Sequence, residues 1–160
     1  PQPEKAKRYL DEFAKIYRYV LEVNEEMVVT LERELNFLQS FFYLLQIRYA
    51  QALKLHVNVP ADKLQMFLPP LTLQLLMENV SKHNQIDAQH EVTVQVYTQS
   101  NLLYVTNNLH PKNPANGHSQ RRKVALENLK GRYRLIADEQ PEFYHSKGQF
   151  VCKIPLIEAE

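Results

Sequence analysis

The sequence is short of cysteine, of glycine and of net charge. Its 160 residues include one Cys and three Gly, and 19 basic against 18 acidic residues leave a formal charge of +1. Cys152 alone permits neither an internal disulfide nor a structural zinc shared between thiols. It lies between apolar neighbours in FVCKIPL, where burial in a strand would disfavour a reactive thiolate, and a reducing cytoplasm is its simplest setting. The few glycines build neither a dinucleotide-type glycine loop nor a Walker loop. Balanced charge offers no global field for nucleic acid or an anionic membrane, and no aromatics interleave with the basic residues, so no nucleic acid is expected as a partner. No apolar run approaches the roughly 18–20 residues of a membrane helix, and the Lys- and Glu-bearing N-terminus is no signal peptide; the chain as given is expected to be soluble. Six histidines form no HxxxH or HxH pair, which argues against a metal hydrolase.

Hydrophobic content is 44%, enough for a core in one domain or a domain with a helical extension. In EKAKRYLDEFAKIYRYVLEV, Ala6, Leu10, Phe13, Tyr17 and Val20 draw one apolar stripe along a helix. Leu31, Leu35, Leu38, Phe42, Leu45, Tyr49 and Ala52 draw a longer one, after Thr30 as N-cap and with Glu32 in the favourable first turn. The two stripes can close on one another, dock on the rest of the chain, or pair with a second subunit. Phe37, Phe41 and Tyr43, outside the second stripe, speak for the subunit pairing.

From Leu55 the period changes to two. Leu55, Val57 and Val59 alternate, as do Val92, Val94 and Val96, and NLLYVTNN, EFYHSK and QFVCKIPL follow suit, with Lys147-Gly148 as a tight turn. Between them Pro70 starts a helix running to about His83, and residues 121–137 form another with Val124, Leu129, Tyr133 and Ile136 inward. Hairpins with helices between them predict an α+β sandwich: a mostly antiparallel mixed sheet with helices on one face, preceded by a helical pair.

The third helix poses the functional question. On a helical wheel Leu73, Leu76, Met77 and Val80 share one side, while Asn79, Lys82 and His83 share the adjoining edge. An amide oxygen suits a hard cation such as magnesium, and Lys82 and His83 suit phosphate oxygens; a solvated edge of an ordinary amphipathic helix is the alternative. Arg121, Arg122 and Lys123 begin the last helix, as a phosphate site, a partner patch or simply a solvated start.

LPPLTLQLLMENVSKHN, residues 68–84, resembles the N-box of the LytS-like sensor histidine kinases, the internal-region family with a GHKL (Bergerat) ATP-binding fold. VTLERELNFLQSFFYLLQIRYA resembles the helix leading to the ATPase domain, and VALENLKGRYRLI with FVCKIPLI the closing helix and strands, so the likeness runs through nearly the whole chain in order. It implies a helical segment over 1–53, a remnant of the dimerisation and phosphotransfer region, and an ATP-binding domain over 54–160. It implies that Asn79 ligates the magnesium between ATP phosphates, that Glu78 positions the reacting groups, and that Lys82 and His83 line the phosphates. VTNN falls where the family has an Asp for the adenine amino group; Asn107 replaces it, Leu109 replaces a Gly, and Asn107 and Asn108 are both candidates for adenine.

The chain also departs from the family. The glycine-rich GxGLxN falls on Lys123, Val124, Ala125, Leu126, Glu127 and Asn128, without either glycine, and Arg121, Arg122 and Lys123 are the side chains that could meet phosphate instead. Residues 109–120, long and turn-rich, fit an ATP lid or a plain loop. The family's phosphoacceptor motif surrounds none of the histidines, and the resemblance then implies a reactive His upstream of this segment, with a membrane-anchored sensor region before it. The expected function is thus the cytoplasmic catalytic part of a bacterial inner-membrane kinase, dimeric, binding ATP and Mg and signalling to a response regulator. The competing expectation is a degenerate domain acting as a dimerising scaffold.

Overall fold

A computed structural model describes residues 2–112 and 118–159, with the backbone alone for 118–122. Its elements run α1 (Gln2–Glu22), β1 (Val29–Thr30), α2 (Leu31–Tyr49), β2 (Leu53–Asn58), β3 (Phe67–Leu68), α3 (Thr72–His83), β4 (Val92–Gln99), β5 (Leu102–Asn108), α4 (His118–Ile136), β6 (Glu142–Ser146) and β7 (Gln149–Pro155). Five strands form one sheet in the order β2-β4-β5-β7-β6. Only the β2–β4 pair is parallel, joined through α3; the other three pairs are antiparallel. The two-layer α+β expectation is met.

Strand alternation explains why helices lie on one face. Val92, Val94, Val96, Leu103, Val105, Phe150, Cys152 and Ile154 point into a core completed by Leu31, Leu35, Leu38 and Phe42 of α2, by Leu73, Leu76, Met77 and Val80 of α3, and by Leu126, Leu129 and Tyr133 of α4. Each fully buried Leu there contributes about 1.5–3 kcal/mol of burial. The opposite face carries Lys54 and Gln95, with the Tyr97 and Tyr104 rings stacked 5.2 Å apart. Lys147 at φ 51° and Gly148 at φ 78° make the last hairpin turn, as the dipeptide predicts.

Helix α2 begins where its cap allows: the Thr30 side chain accepts from the Arg33 amide at 3.2 Å, worth about 1 kcal/mol. Its long stripe enters the main core, so α2 shares that core with the sheet. A ribbon of β1 and β3, too short to have a readable period, ties the start of α2 to the approach to α3, and Phe67 exchanges backbone hydrogen bonds with Ile157 at 2.7 and 2.8 Å.

Several sequence expectations need correction. The stripe on α1 faces outward except at its end, Val20: Leu10, Phe13 and Tyr17 are 63%, 50% and 60% exposed. The face that packs is Ile16, Tyr19 and Val20, with Val23 just beyond the helix, and it meets α2 through Phe37 and Phe41. Phe37, expected to favour a second subunit, is buried under α1, stacked 4.6 Å from Tyr19. Val124 is exposed because it lies half a turn from the Leu126–Leu129–Tyr133 face. Val57 is exposed near the end of edge strand β2. Helix α3 starts at Thr72 and not at Pro70, because Leu71 takes a left-handed conformation at φ 65°.

Candidate functional site

The candidate site is built on α3, whose start has no cap of its own. Leu71 at the N-cap has no polar side chain, and the Thr72 hydroxyl donates back to the Pro69 carbonyl at 2.6 Å. Glu34 of α2 supplies the cap from afar: Oε2 accepts from the Leu71 amide at 3.0 Å and Oε1 from the Leu73 amide at 3.1 Å. The Tyr19 hydroxyl of α1 donates to the same Oε2 at 2.5 Å. Burial pushes the Glu34 carboxyl above the usual carboxylate range, against the opposing pull of Tyr19 and the backbone amides. Glu34 was invisible to pattern reading, since its partners lie 37 and 39 residues away. The available signals were a charge one position off an apolar stripe and a helix start lacking a capping residue.

Along α3 the leucine face seats the helix on the sheet, and the predicted polar edge follows. Asn79 is 7% exposed, and its amide has no hydrogen-bond partner among the described residues. Its polar atoms are not among the fully buried unpartnered ones, so the amide reaches solvent at the edge of α3, where a hard cation or a ligand donor could meet it. Glu78 is half-buried and accepts from the Gln74 side chain at 3.1 Å. Lys82 is exposed and His83 half-buried, each within a turn of Asn79.

Asn84, which sequence reasoning passed over, joins α3 to the end of β5. Its Nδ2 donates to the Val80 carbonyl at 3.0 Å and its Oδ1 accepts from the His110 amide at 2.8 Å. Gln85 N donates to His110 O at 2.7 Å, and Lys112 N to His83 O at 3.1 Å. The segment leaving β5 is thereby laid beside Lys82 and His83, bringing VTNN to the same end of the fold as the polar edge of α3.

The two asparagines of VTNN part company. Asn107 lies on the core face with Leu103 and Val105, 4% exposed; its Nδ2 donates to the Asn108 carbonyl at 2.9 Å, and its Oδ1 has no hydrogen-bond partner among the described residues. Asn108 stitches the sheet: its Oδ1 accepts from the Thr93 amide at 2.7 Å and its Nδ2 donates to the Glu91 carbonyl at 2.8 Å. Lys123 is exposed on α4, and residues 123–128, where the family's glycine motif would fall, are regular helix. The side chains of Arg121 and Arg122, and residues 113–117 of the expected lid, lie outside the described residues.

Comparison with known proteins now bears on this arrangement. Residues 1–53 match the histidine kinase family model. The sensor histidine kinase/phosphatase LytS of Staphylococcus aureus (strain Mu50 / ATCC 700699) is 31% identical over 80 residues, half of this chain and 14% of the relative's length. Over those 80 residues the chain is similar to a sensor histidine kinase. Among solved structures, the cytoplasmic segment of histidine kinase QseC shares the fold with TM-score 0.54 at 18% identity, covering 98% of this chain and 95% of that one. Acinetobacter baumannii histidine kinase AdeS aligns with TM-score 0.50 at 9% identity over 92% of this chain and 78% of that one. The family model falls on α1 and α2, the elements that deliver Tyr19 and Glu34 to the start of the candidate-site helix. No helix among its described residues is long and apolar enough to cross a membrane.

Proposed function

We propose that the chain is the nucleotide-binding part of a sensor histidine kinase, taking Mg-ATP at the edge formed by α3 and the end of β5. The observation that carries this reading is Asn79, a nearly buried residue whose amide makes no hydrogen bond to the described residues and opens at the edge of the helix that resembles the N-box. Asn79 Oδ1 would ligate magnesium, Lys82 and His83 would meet phosphate oxygens, and Glu78 would position the reacting groups. Asn107, with its free amide oxygen on the core face, is the better acceptor for the adenine amino group, because both polar atoms of Asn108 are committed to the sheet. Bound Mg-ATP supplies a γ-phosphoryl whose bond to the β-phosphate oxygen breaks as a bond to an upstream histidine forms, leaving ADP. The work of this chain's residues is to hold and orient that group.

The boundary between leader and binding domain falls, in this reading, in the turn after α1, since α2 contributes to the main core. The outward stripe of α1 would seat a second copy of the chain, and a response regulator would be the downstream partner. A second reading, a scaffold that binds no nucleotide, is favoured by one feature: residues 123–128 are helical and lack the glycines whose amides would approach phosphate.

The test is equilibrium binding of a fluorescent ATP analogue, with magnesium and then with a chelator. Saturable binding that unlabelled ATP displaces and the chelator abolishes supports the kinase reading. Equal signal with and without magnesium removes Asn79 from its assigned role.

A further inference from the structure

The joint between α1 and α3 has a consequence beyond the nucleotide site, and it starts from a buried carboxyl whose donors come from two different helices. Glu34 is fully buried, and removing its carboxyl would strand the Tyr19 hydroxyl and the Leu71 and Leu73 amides. Its carboxylate is tolerable only while its donors stay in place, and one of them comes from a different helix from the others: Leu71 and Leu73 from the start of α3, Tyr19 from α1. Tyr19 is the only buried residue of α1 among the described residues. Around it α1 packs on α2: its ring stacks on Phe37, and Arg33 lies over it at 5.6 Å while pairing with Glu22 and Glu26. The Tyr19 hydroxyl is the group of α1 that reaches Glu34, so a change in how α1 seats on α2 would be felt at the start of α3. A cavity of about 370 Å³ adjoins the joint, lined among others by Val23, Met27, Leu71 and Leu135, and leaves space for such a shift.

We propose that Glu34 is a positioning residue for α3 and that Tyr19 makes the docking of α1 part of that positioning. With Tyr19 withdrawn, Oε2 of Glu34 loses a donor, the imported cap on Leu71 and Leu73 weakens, and the first turn of α3 loosens. Asn79 lies eight residues beyond Leu71, about 12 Å along a continuous helix, so a change of tilt at the start displaces its amide. The strained left-handed Leu71, held on one side by Glu34, is the point at which the helix gives. The consequence for ligand affinity rests on the nucleotide reading above; the mechanical coupling does not.

The experiment is Tyr19→Phe in the full chain, which keeps the ring on Phe37 and removes only the hydroxyl, with Tyr17→Phe on the exposed face as control. Two quantities are read at a temperature where every variant is folded: amide exchange at Leu71–Leu73 against Leu129–Tyr133 of α4, and affinity for Mg-ATP. The proposal expects exchange at Leu71–Leu73 to rise about five- to tenfold in Tyr19→Phe with α4 unchanged. Where the parent binds Mg-ATP, it also expects affinity to fall about fivefold or more, the lower end of usual site-to-site coupling. Exchange that rises equally in α3 and α4 reports plain destabilisation and overturns it, as does unchanged protection at Leu71–Leu73. Unchanged affinity in a parent that binds overturns it as well. A parent that binds no nucleotide defeats the nucleotide reading alone, and the local exchange then decides whether the coupling stands. Glu34→Gln, which keeps shape but places an amide donor against backbone donors, is expected to reproduce the exchange pattern; if it restores full protection the carboxylate is not the cap.

Discussion

Replacing Asn79 by Ala separates binding from folding because of where the amide sits. It makes no hydrogen bond to the described residues, so its removal breaks no described hydrogen bond. Ala is the better helix former by about 0.5 kcal/mol, offset by a modest loss of packing, so the unliganded variant should stay within about 0.5 kcal/mol of the parent. Ligand at a hundred times its dissociation constant stabilises the native state by about 2.7 kcal/mol. For a domain of this size that is an upward melting shift of about 5–10 °C. Thermal unfolding of both proteins with and without Mg-ATP should therefore show equal midpoints alone and a shift in the parent only. A variant that melts several degrees lower without ligand makes the amide structural; one that keeps the magnesium-dependent shift refutes its assignment as the metal ligand.

Three further outcomes follow from other parts of the fold. Asn107→Ala should weaken adenine-nucleotide binding at a stability cost of about 1 kcal/mol for its one hydrogen bond, whereas Asn108→Ala, which strips the side-chain partner from Thr93 N and one of two from Glu91 O, should cost about 1–2 kcal/mol in a denaturant titration and leave affinity alone; unchanged affinity in the first and lost affinity in the second would exchange their roles. Burial raises the phenols of Tyr19 and Tyr133 above the ordinary tyrosine value, with the Glu34 charge adding to the effect. Stability from these two groups is full below the unfolded value of about 10 and is lost as pH rises above it, so alkaline ultraviolet titration should show both ionising only with unfolding, and Tyr19→Phe should remove one late group. Phe13→Glu on the outward face of α1 should shift a dimer to monomer in sedimentation without lowering the melting point; an unchanged assembly would free that stripe from the subunit contact.

What could be read from the sequence was what short-range pattern encodes. Thr30 as a cap, Lys147-Gly148 as a turn and the leucine face of α3 each depend on neighbours within four residues, and each appears in the structure as expected. Periodicity reveals that α1 has an apolar stripe but not what covers it, and the face that packs instead is fixed by Tyr19 reaching Glu34. The parallel pairing of β2 with β4 and the β1–β3 ribbon depend on tertiary placement, which alternation does not carry. The family likeness pointed to Asn79, Lys82 and His83 as a group on one helix edge. It could not show that Asn84 moors the segment after β5 beside them, or that Asn108 belongs to the sheet, because both rest on hydrogen bonds across 15 residues or more.

The most direct measurement is calorimetric titration of the chain with ATP, in magnesium and in its absence. The account predicts saturable one-site binding that requires magnesium and disappears in Asn79→Ala. Silence at millimolar ATP with magnesium present would contradict it, and would leave the helical residues 123–128 as the mark of a domain that kept the kinase fold without its nucleotide.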